Sequence, residues 1–174
     1  MQFNHDNMTG PLLASQLVNL AADGRWTAES AQVVLVEHQI RRAALTETAA
    51  ELLQAWAVRL RSAFDAANVE SRCAAINELL IEGTTRAYLT THDQLRPHLH
   101  FSPEEDDVVA RVKAVTAGGL AIFAVESEGG RLGVCARASC GIAFVDTSRN
   151  GLRAYCSARC GNNDAVRRYR EQSG

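Results

Sequence analysis

The sequence has almost no lysine: Lys113 is the only one, and every other strongly basic side chain is an arginine. Such a bias is a mark of a GC-rich genome. A high arginine content by itself therefore does not indicate nucleic-acid binding. The informative property is where along the chain the arginines cluster.

The sequence also lacks the features of an exported or membrane protein. Its start, MQFNHDNMTG, has neither the basic residues nor the apolar core of a signal peptide. We identify no apolar run that approaches the ~18 residues of a membrane helix. We therefore expect a cytoplasmic protein, and in that reducing compartment clustered cysteines are more typical of a metal site than of disulfides.

Common enzyme motifs are missing as well: G-x-S-x-G, the P-loop, the dinucleotide-binding fingerprint and H-E-x-x-H. One enzyme hypothesis remains, because His92, His98 and His100 could bind a metal together with Asp93 or Glu104. H-x-H on a strand places both imidazoles on one face. A solvated edge strand explains the same pattern more simply, so we expect that the protein is not an enzyme.

Charge is divided unevenly along the chain. Residues 1–130 carry 17 acidic and 10 basic side chains, whereas residues 131–174 carry eight arginines and three acids. This division predicts an acidic body with a basic module, and basic modules bind polyanions. We place the domain boundary at Glu128-Gly129-Gly130.

Periodic apolar residues predict a mainly α fold for residues 1–130. We expect a loose start over residues 1–10. The predicted helices then cover residues 11–24, 30–45, 48–66 and 70–90. Thr27 or Ser30 is expected to cap the second helix, and Thr46 or Thr48 the third.

A short β element and a fifth helix are predicted next. The segment LRPHLHFSP (95–103) alternates around a proline as an edge strand does. Ser102 followed by Pro103 and acidic residues predicts the start of a helix that continues to Val115. Gly118-Gly119 either interrupts this helix or is absorbed by it, and LAIFAVE (120–126) is compatible with helix or strand.

Two aspects of the body bear on function. Trp26, Trp56, Phe64 and Tyr88 could line a ligand pocket, although aromatic residues at helical spacing are more typical of a core. Cys73 lies alone in a helix, far from the other cysteines, and we interpret it as a core residue.

Four cysteines form a C-x4-C-x15-C-x3-C pattern with the spacing of a structural zinc site. The predicted zinc ligands are Cys135, Cys140, Cys156 and Cys160. Each short pair directs two thiolates the same way, and the intervening loop brings the pairs together. Zn²⁺ then supplies folding free energy that so short a segment cannot obtain from a core.

The residues between the cysteines predict the local structure. Gly141 suits a metal knuckle, and residues 142–146 alternate like a strand. Asn150-Gly151 indicates a hairpin turn, with residues 152–155 returning as the second strand. Ser157 stands where a helix could be capped, and residues 164–172 have helical character. A knuckle, a hairpin and a helix carrying the second ligand pair predict a small treble-clef-like zinc finger over residues 131–174.

The run from Cys135 to Arg170 resembles the CGNR zinc finger family. The matching residues are Cys135, Cys140, Phe144, Asp146, Ser148, Arg149, Asn150, Tyr155, Cys156, Ser157, Cys160, Gly161 and Asn162. Position 163 is asparagine where the family has arginine. Leu17-Val18-Asn19 is similar to the opening motif of the helical ABATE domain that usually precedes this finger. The resemblance implies an ABATE-like domain over residues 1–130 and a bacterial stress-induced transcriptional regulator.

Two functional hypotheses follow. In the first, the finger binds DNA and the helical domain senses a small-molecule effector or forms a homodimer. The candidate DNA-binding residues are Arg149, Arg153, Arg159, Arg167, Arg168 and Arg170. In the second, these arginines solvate the finger and offset the thiolate charge, and the finger is a zinc-stabilised protein–protein interaction module.

Overall fold

The computed structural model of the chain describes residues 5–91, 98–101, 103 and 107–172. Over these residues the fold is mainly α, as predicted, with two short antiparallel sheets. The helices are α1 (His5–Ala22), α2 (Ala28–Glu37), α3 (Glu47–Asp65), α4 (Val69–Gly83), α5 (Val108–Glu126) and α6 (Ala158–Gln172). The strands are β1 (Tyr88–Thr90), β2 (His98–His100), β3 (Leu132–Val134) and β4 (Ala143–Val145).

The central helix of the body is α5, which absorbs Gly118 and Gly119 and packs against α1, α3 and α4. A Cβ added to Gly10 of α1 would lie 2.7 Å from the Cα of Gly119, so glycine is required where these helices cross. By length and composition α5 could cross a membrane, the only described helix of which this is true. The sequence pattern had suggested no such segment, and the apolar composition of α5 is explained by its packing in the core.

The first helix starts earlier than predicted. It begins at His5 and contains Pro11, so the described part of residues 1–10 is not loose. Proline lacks an N–H and removes one helical hydrogen bond. The close packing of Gly10 on α5 and the complete burial of Leu13 and Leu17 compensate for that loss.

The second helix ends at Glu37, eight residues before the predicted end. Gln39 and Arg42 have φ of 57° and 52°, which no α-helix accommodates. Ile40 is nevertheless buried, which is why the apolar pattern continues into this loop. Both proposed caps are used, since Thr27 caps the helix and Ser30 completes a capping box. The third helix is capped by Thr46, one of its two predicted caps.

The fourth helix ends at Gly83 and does not reach Thr90. The chain instead forms β1, whose Tyr88 pairs with His100 of β2. The predicted edge strand is confirmed at residues 98–100, while residues 95–97 and 102 lie outside the described residues.

The fifth helix begins at Val108 with Asp107 as its cap, so the predicted start at Ser102-Pro103 is wrong. The Asp107 carboxylate accepts a hydrogen bond from the N–H of Ala110 at 2.8 Å. The ring of Phe101, which precedes this helix in the chain, occupies the space beside Gly118, ten residues into α5.

The β3–β4 hairpin joins the zinc-binding segment to the helical body. Leu132, Ala143 and Val145 belong to the same apolar core as α1 and α3. The side chain of Asn19 on α1 donates to the carbonyl of Ala143 at 2.9 Å and accepts from its N–H at 2.8 Å. The boundary at residue 130 stays a prediction, and residues on its two sides share one core.

A buried arginine forms a second connection between the two parts. The guanidinium of Arg72 donates to the carbonyls of Ala63, Ala66, Gly129 and Leu132. Burial lowers the pKa of Arg72 from its usual value. Four carbonyl dipoles stabilise this charge, and they tie the end of α3 to the chain that enters β3.

Candidate metal centre

The structure brings the four predicted cysteines together. Cys135 follows β3 and Cys140 precedes β4, so the first pair lies in the connection of this hairpin. Cys156 immediately precedes the cap of α6, and Cys160 lies in its first turn. The four Sγ atoms all lie within 4.8 Å of one another.

The sulfur positions fit a tetrahedral zinc ion. The Sγ atoms of Cys140 and Cys156 are 3.6 Å apart, those of Cys156 and Cys160 3.6 Å, and those of Cys140 and Cys160 3.7 Å. Zn–S bonds of about 2.3 Å in a tetrahedron place neighbouring sulfurs about 3.8 Å apart. A set of four thiolates without carboxylate or imidazole favours zinc over magnesium or calcium.

The hairpin that carries the first pair differs from the predicted one. β4 pairs with β3, which lies before Cys135, and residues 152–155 form no strand. β3 binds one edge of β4, and Asn19 binds Ala143 on the other. The returning chain bonds instead to the segment between the first two cysteines, where the N–H of Ala136 donates to the carbonyl of Ala154 at 2.8 Å. Gly141 and Gly151 do adopt positive φ, 67° and 64°, as the predicted knuckle and turn require.

Ser157 positions the second cysteine pair. Its Oγ accepts a hydrogen bond from the N–H of Cys160 at 3.2 Å, and its carbonyl accepts from the N–H of Gly161 at 3.2 Å. The predicted cap is therefore confirmed, and α6 runs from Ala158 through the segment 164–172 that was predicted to be helical. The cap holds Cys160 in the first helical turn, where its thiol faces the other three.

Two of the four thiols have pKa values shifted in opposite directions. Burial, followed by hydrogen bonds with neighbouring thiols, raises the pKa of Cys156 to about 12. Hydrogen bonds from Ser157 and Cys156 lower the pKa of Cys160 to about 6. Zn²⁺ requires thiolates, so its binding displaces protons from the other thiols and weakens as the pH falls.

The loop after β4 is held by a buried carboxylate. Asp146 accepts hydrogen bonds from the N–H groups of Ser148 and Arg153, both at 2.8 Å. Burial raises the pKa of Asp146, but the hydrogen bonds from Ser148 and Arg153 outweigh it and lower the pKa overall. Arg131 donates to the carbonyls of Asp146 and Ser148 at 3.3 and 2.6 Å.

Arg131 is a residue that sequence reasoning missed. In the sequence it counts only as one charge of the basic module, whereas in the structure it shapes the loop that carries Arg149. No local motif marks this role, because Arg131 and Ser148 are 17 residues apart. The φ of +68° at Arg131 is visible only in the structure.

Three of the six candidate DNA-binding arginines have partners within the finger. The guanidinium of Arg153 lies 5.3 Å from the ring centre of Phe144 and donates to the carbonyls of Tyr155 and Cys156. Arg167 and Arg168 both form ion pairs with the buried carboxylate of Asp164.

Asp164 therefore binds several side chains on the inner side of α6. Its carboxylate also accepts a hydrogen bond from the hydroxyl of Tyr155 at 2.9 Å. The hydrogen bonds from Arg167 and Tyr155 lower the pKa of Asp164, and Asp164 in turn raises the pKa of Tyr155. Arg167 forms a second ion pair with Glu171 at 2.7 Å.

The other three arginines, Arg149, Arg159 and Arg170, are exposed. Within the described part of the chain their guanidinium groups form no hydrogen bond or ion pair. All six arginines are exposed, and the structure divides them into three that have partners within the finger and three that have none among the described residues.

The remaining candidate residues lie elsewhere. His98 and His100 are on β2, where the ring of His100 lies 5.4 Å from that of Tyr88. His92, Asp93 and Glu104 are outside the described residues. Trp56 and Phe64 are core residues, as the simpler interpretation predicted. Cys73 is exposed, so its interpretation as a core residue is wrong.

Comparison with known proteins agrees with the metal site. The family model of the CGNR zinc finger matches residues 131–173. The match covers the four cysteines and α6 and leaves the helical body unmatched. No curated protein matches the chain. The family match and the four converging thiols together indicate a zinc-binding finger.

Proposed function

We propose that the protein is a cytoplasmic bacterial transcription regulator that binds DNA through its zinc finger. The observation that supports this most is the position of Arg149, Arg159 and Arg170, which are exposed and have no partner among the described residues, on the loop after β4 and on α6. Arginines without intramolecular partners remain available to neutralise phosphates.

The charge distribution supports the same proposal. The body has a charge balance of −7 and residues 131–174 one of +5, with histidine counted as neutral. A polyanion is attracted to the finger and repelled by the body, which orients the encounter. Arg149 lies on the loop fixed by Asp146, while Arg159 and Arg170 are 11 residues apart on α6, a rise of about 16 Å.

The proposed role of the zinc is structural. Four protein thiolates fill a tetrahedral site, whereas a catalytic zinc keeps a position for water or substrate. When bound, the ion supplies folding free energy and holds α6 against the β3–β4 hairpin. We accordingly propose a binding protein and not an enzyme.

DNA binding can be tested with the zinc-loaded full-length protein and a labelled random duplex. We expect an affinity that falls steeply as salt concentration rises. Replacing Arg149, Arg159 and Arg170 together by alanine should weaken binding and reduce the salt slope by about three. The matched control replaces Arg25, Arg59 and Arg86, three exposed arginines of the body, and should leave binding nearly unchanged.

A zinc-stabilised protein–protein interaction module is the second candidate. It is favoured by exposed apolar side chains in the finger: Leu152 is 84% exposed, Tyr169 71% and Val166 50%. Val166 and Tyr169 are three residues apart on α6 and therefore neighbours on its surface, and grouped apolar side chains mark interaction sites. If the zinc-loaded protein does not bind duplex DNA at low salt, this second function is supported and the first is abandoned.

The proposed role of the helical domain is to sense an effector or to form a homodimer. Trp56 and Phe64 are fully packed in the core, so an effector has to bind elsewhere. An effector should raise the melting temperature of the full-length protein in proportion to the logarithm of its concentration above Kd. A dimer should be detected by light scattering of the same sample.

A further inference from the structure

The outward face of α6 has a composition different from that of its inner side. At 100° per residue, and apart from Ala158 and Ala165, six exposed residues lie at least 60° around the helix axis from the buried Cys160 and at least 100° from the buried Asp164. This outer face consists of Arg159, Asn162, Asn163, Val166, Tyr169 and Arg170. All six side chains are exposed, and none of them is acidic.

Within this outer face, four side chains form a narrower stripe. Arg159, Asn163, Val166 and Arg170 lie within about 60° of one another around the helix axis. Asn162 and Tyr169 are displaced to one side, about 100° from Asn163. The stripe thus has an asparagine and a valine at its centre and an arginine at each end.

The polar groups of the stripe are unoccupied. Within the described residues, the side chains of Arg159, Asn163 and Arg170 form no hydrogen bond, ion pair or ring contact. Arg167 and Arg168, by contrast, are bound to Asp164. The ion pairs with Asp164 hold Arg167 and Arg168 to the finger, whereas the donors and acceptors of the stripe have no partner among the described residues.

The dimensions of this stripe match the major groove of DNA. A helix with its side chains is about 10–12 Å across, and the major groove is about 12 Å wide. The rise of about 16 Å from Arg159 to Arg170 is nearly three helical turns, enough to span the groove and reach the phosphates on both sides. The two positive charges of the stripe complement them.

We propose that α6 enters the major groove with its outer face and that Asn163 specifies adenine there. An asparagine amide offers one donor and one acceptor, which pair with N7 and the N6 amino group of adenine. Val166, one turn further, is placed to contact a thymine methyl group. Arg159 and Arg170 contact the flanking phosphates. This inference rests on the proposed DNA-binding function and assigns its sequence preference.

Binding-site selection from random duplex DNA tests the proposal, with zinc-loaded full-length protein. The wild-type protein should enrich adenine at one position. Asn163→Arg should enrich guanine at that same position, because arginine pairs with O6 and N7 of guanine. Asn163→Ala should lose the preference there and bind the selected site about 5- to 150-fold more weakly.

The matched control is Asn162→Ala, which removes the neighbouring amide and should leave the selected base unchanged. If Asn163→Ala and Asn163→Arg select the wild-type site, the assignment of Asn163 is overturned. Binding without any enriched sequence overturns base reading by α6 but leaves the proposed DNA-binding function standing. No binding at low salt, with zinc content and helicity unchanged, overturns both.

Discussion

Different forces stabilise the helical body and the zinc finger. The body buries large apolar side chains, among them Trp56, Phe64 and Phe123, all at most 2% exposed. The finger buries few, and relies on four thiols, on Asp146 and on arginines bound to backbone carbonyls. The difference shows how a short segment becomes ordered: metal bonds and polar contacts replace the apolar area that it lacks.

The β3–β4 hairpin belongs to both the body and the finger. The β3–β4 hairpin contributes Leu132, Ala143 and Val145 to the core of the body, while its connection carries Cys135 and Cys140. Asn19 and Arg72 bind the hairpin from the body through backbone atoms. The finger therefore depends on the body for its orientation, which is why full-length protein is the correct sample for the binding experiments.

Loss of the metal should produce the largest effect. We expect Cys160→Ser to abolish stoichiometric zinc binding, because Zn²⁺ contributes about 10–16 kcal/mol of binding free energy in small zinc domains. Metal analysis and amide exchange would measure this. Exchange should become fast in α6 and in the loop after β4, while α3 and α5 stay protected.

The control for this change is Cys73→Ser, which alters an exposed cysteine and should leave zinc content and exchange unaffected. A zinc-free Cys160→Ser protein whose α6 remains protected would show that the finger is ordered without its metal. Metal bonds would then not be what orders the finger.

Arg72 offers the second test, at the contact between body and finger. Replacement by methionine keeps the apolar stem but leaves up to four buried carbonyls without their donor. Each such group costs about 1–3 kcal/mol, less where water reaches it, so we expect a loss of about 2–4 kcal/mol in urea unfolding. Lysine at the same position should recover part of the loss, since its ammonium can reach some of the carbonyls.

Removal of the Asn19 side chain should have a smaller effect. Asn19→Ala leaves the N–H and carbonyl of Ala143 without partners, at a cost of about 1–3 kcal/mol. The faster exchange should be localised to β4, and a chelator should remove zinc more rapidly. Gln16→Ala, a change on the exposed side of the same helix, provides the control and should alter neither rate.

The smallest effect concerns the Tyr155–Asp164 hydrogen bond and is seen as a pH dependence. Asp164 raises the pKa of Tyr155 in the folded protein. The stabilisation of the folded protein by this hydrogen bond is complete below the ordinary tyrosine pKa of about 10. It is lost as the pH rises through the raised pKa of Tyr155. In Asp164→Asn, ultraviolet titration should place this tyrosine at lower pH, with Tyr155→Phe identifying its contribution. An unchanged titration would contradict the hydrogen bond.

Most of the metal site was predictable from sequence, because its chemistry is local. Cysteine spacing, a glycine after Cys140 and a serine before α6 are constraints within a few residues of each other. The caps of α2 and α3 were predictable for the same reason, because Thr27, Ser30 and Thr46 bond to N–H groups three residues away. The fifth helix is capped by Asp107, and the predicted cap Ser102 lies outside the described residues. The packing of Phe101 on Gly118 joins residues far apart in sequence, and no local pattern indicates it.

The sequence by itself determined the mainly helical body, the zinc-ligand set and the basic character of the finger, since helical periodicity, ligand spacing and charge are properties of neighbouring residues. The tertiary structure decided that β4 pairs with β3, that Arg131 holds the loop after β4, and which arginines have partners within the finger. These depend on distances between residues far apart in the chain. Position 163 is an example of both: its asparagine is written in the sequence, but the exposure of that side chain, only 60° around α6 from the buried Cys160, is decided by how the helix packs.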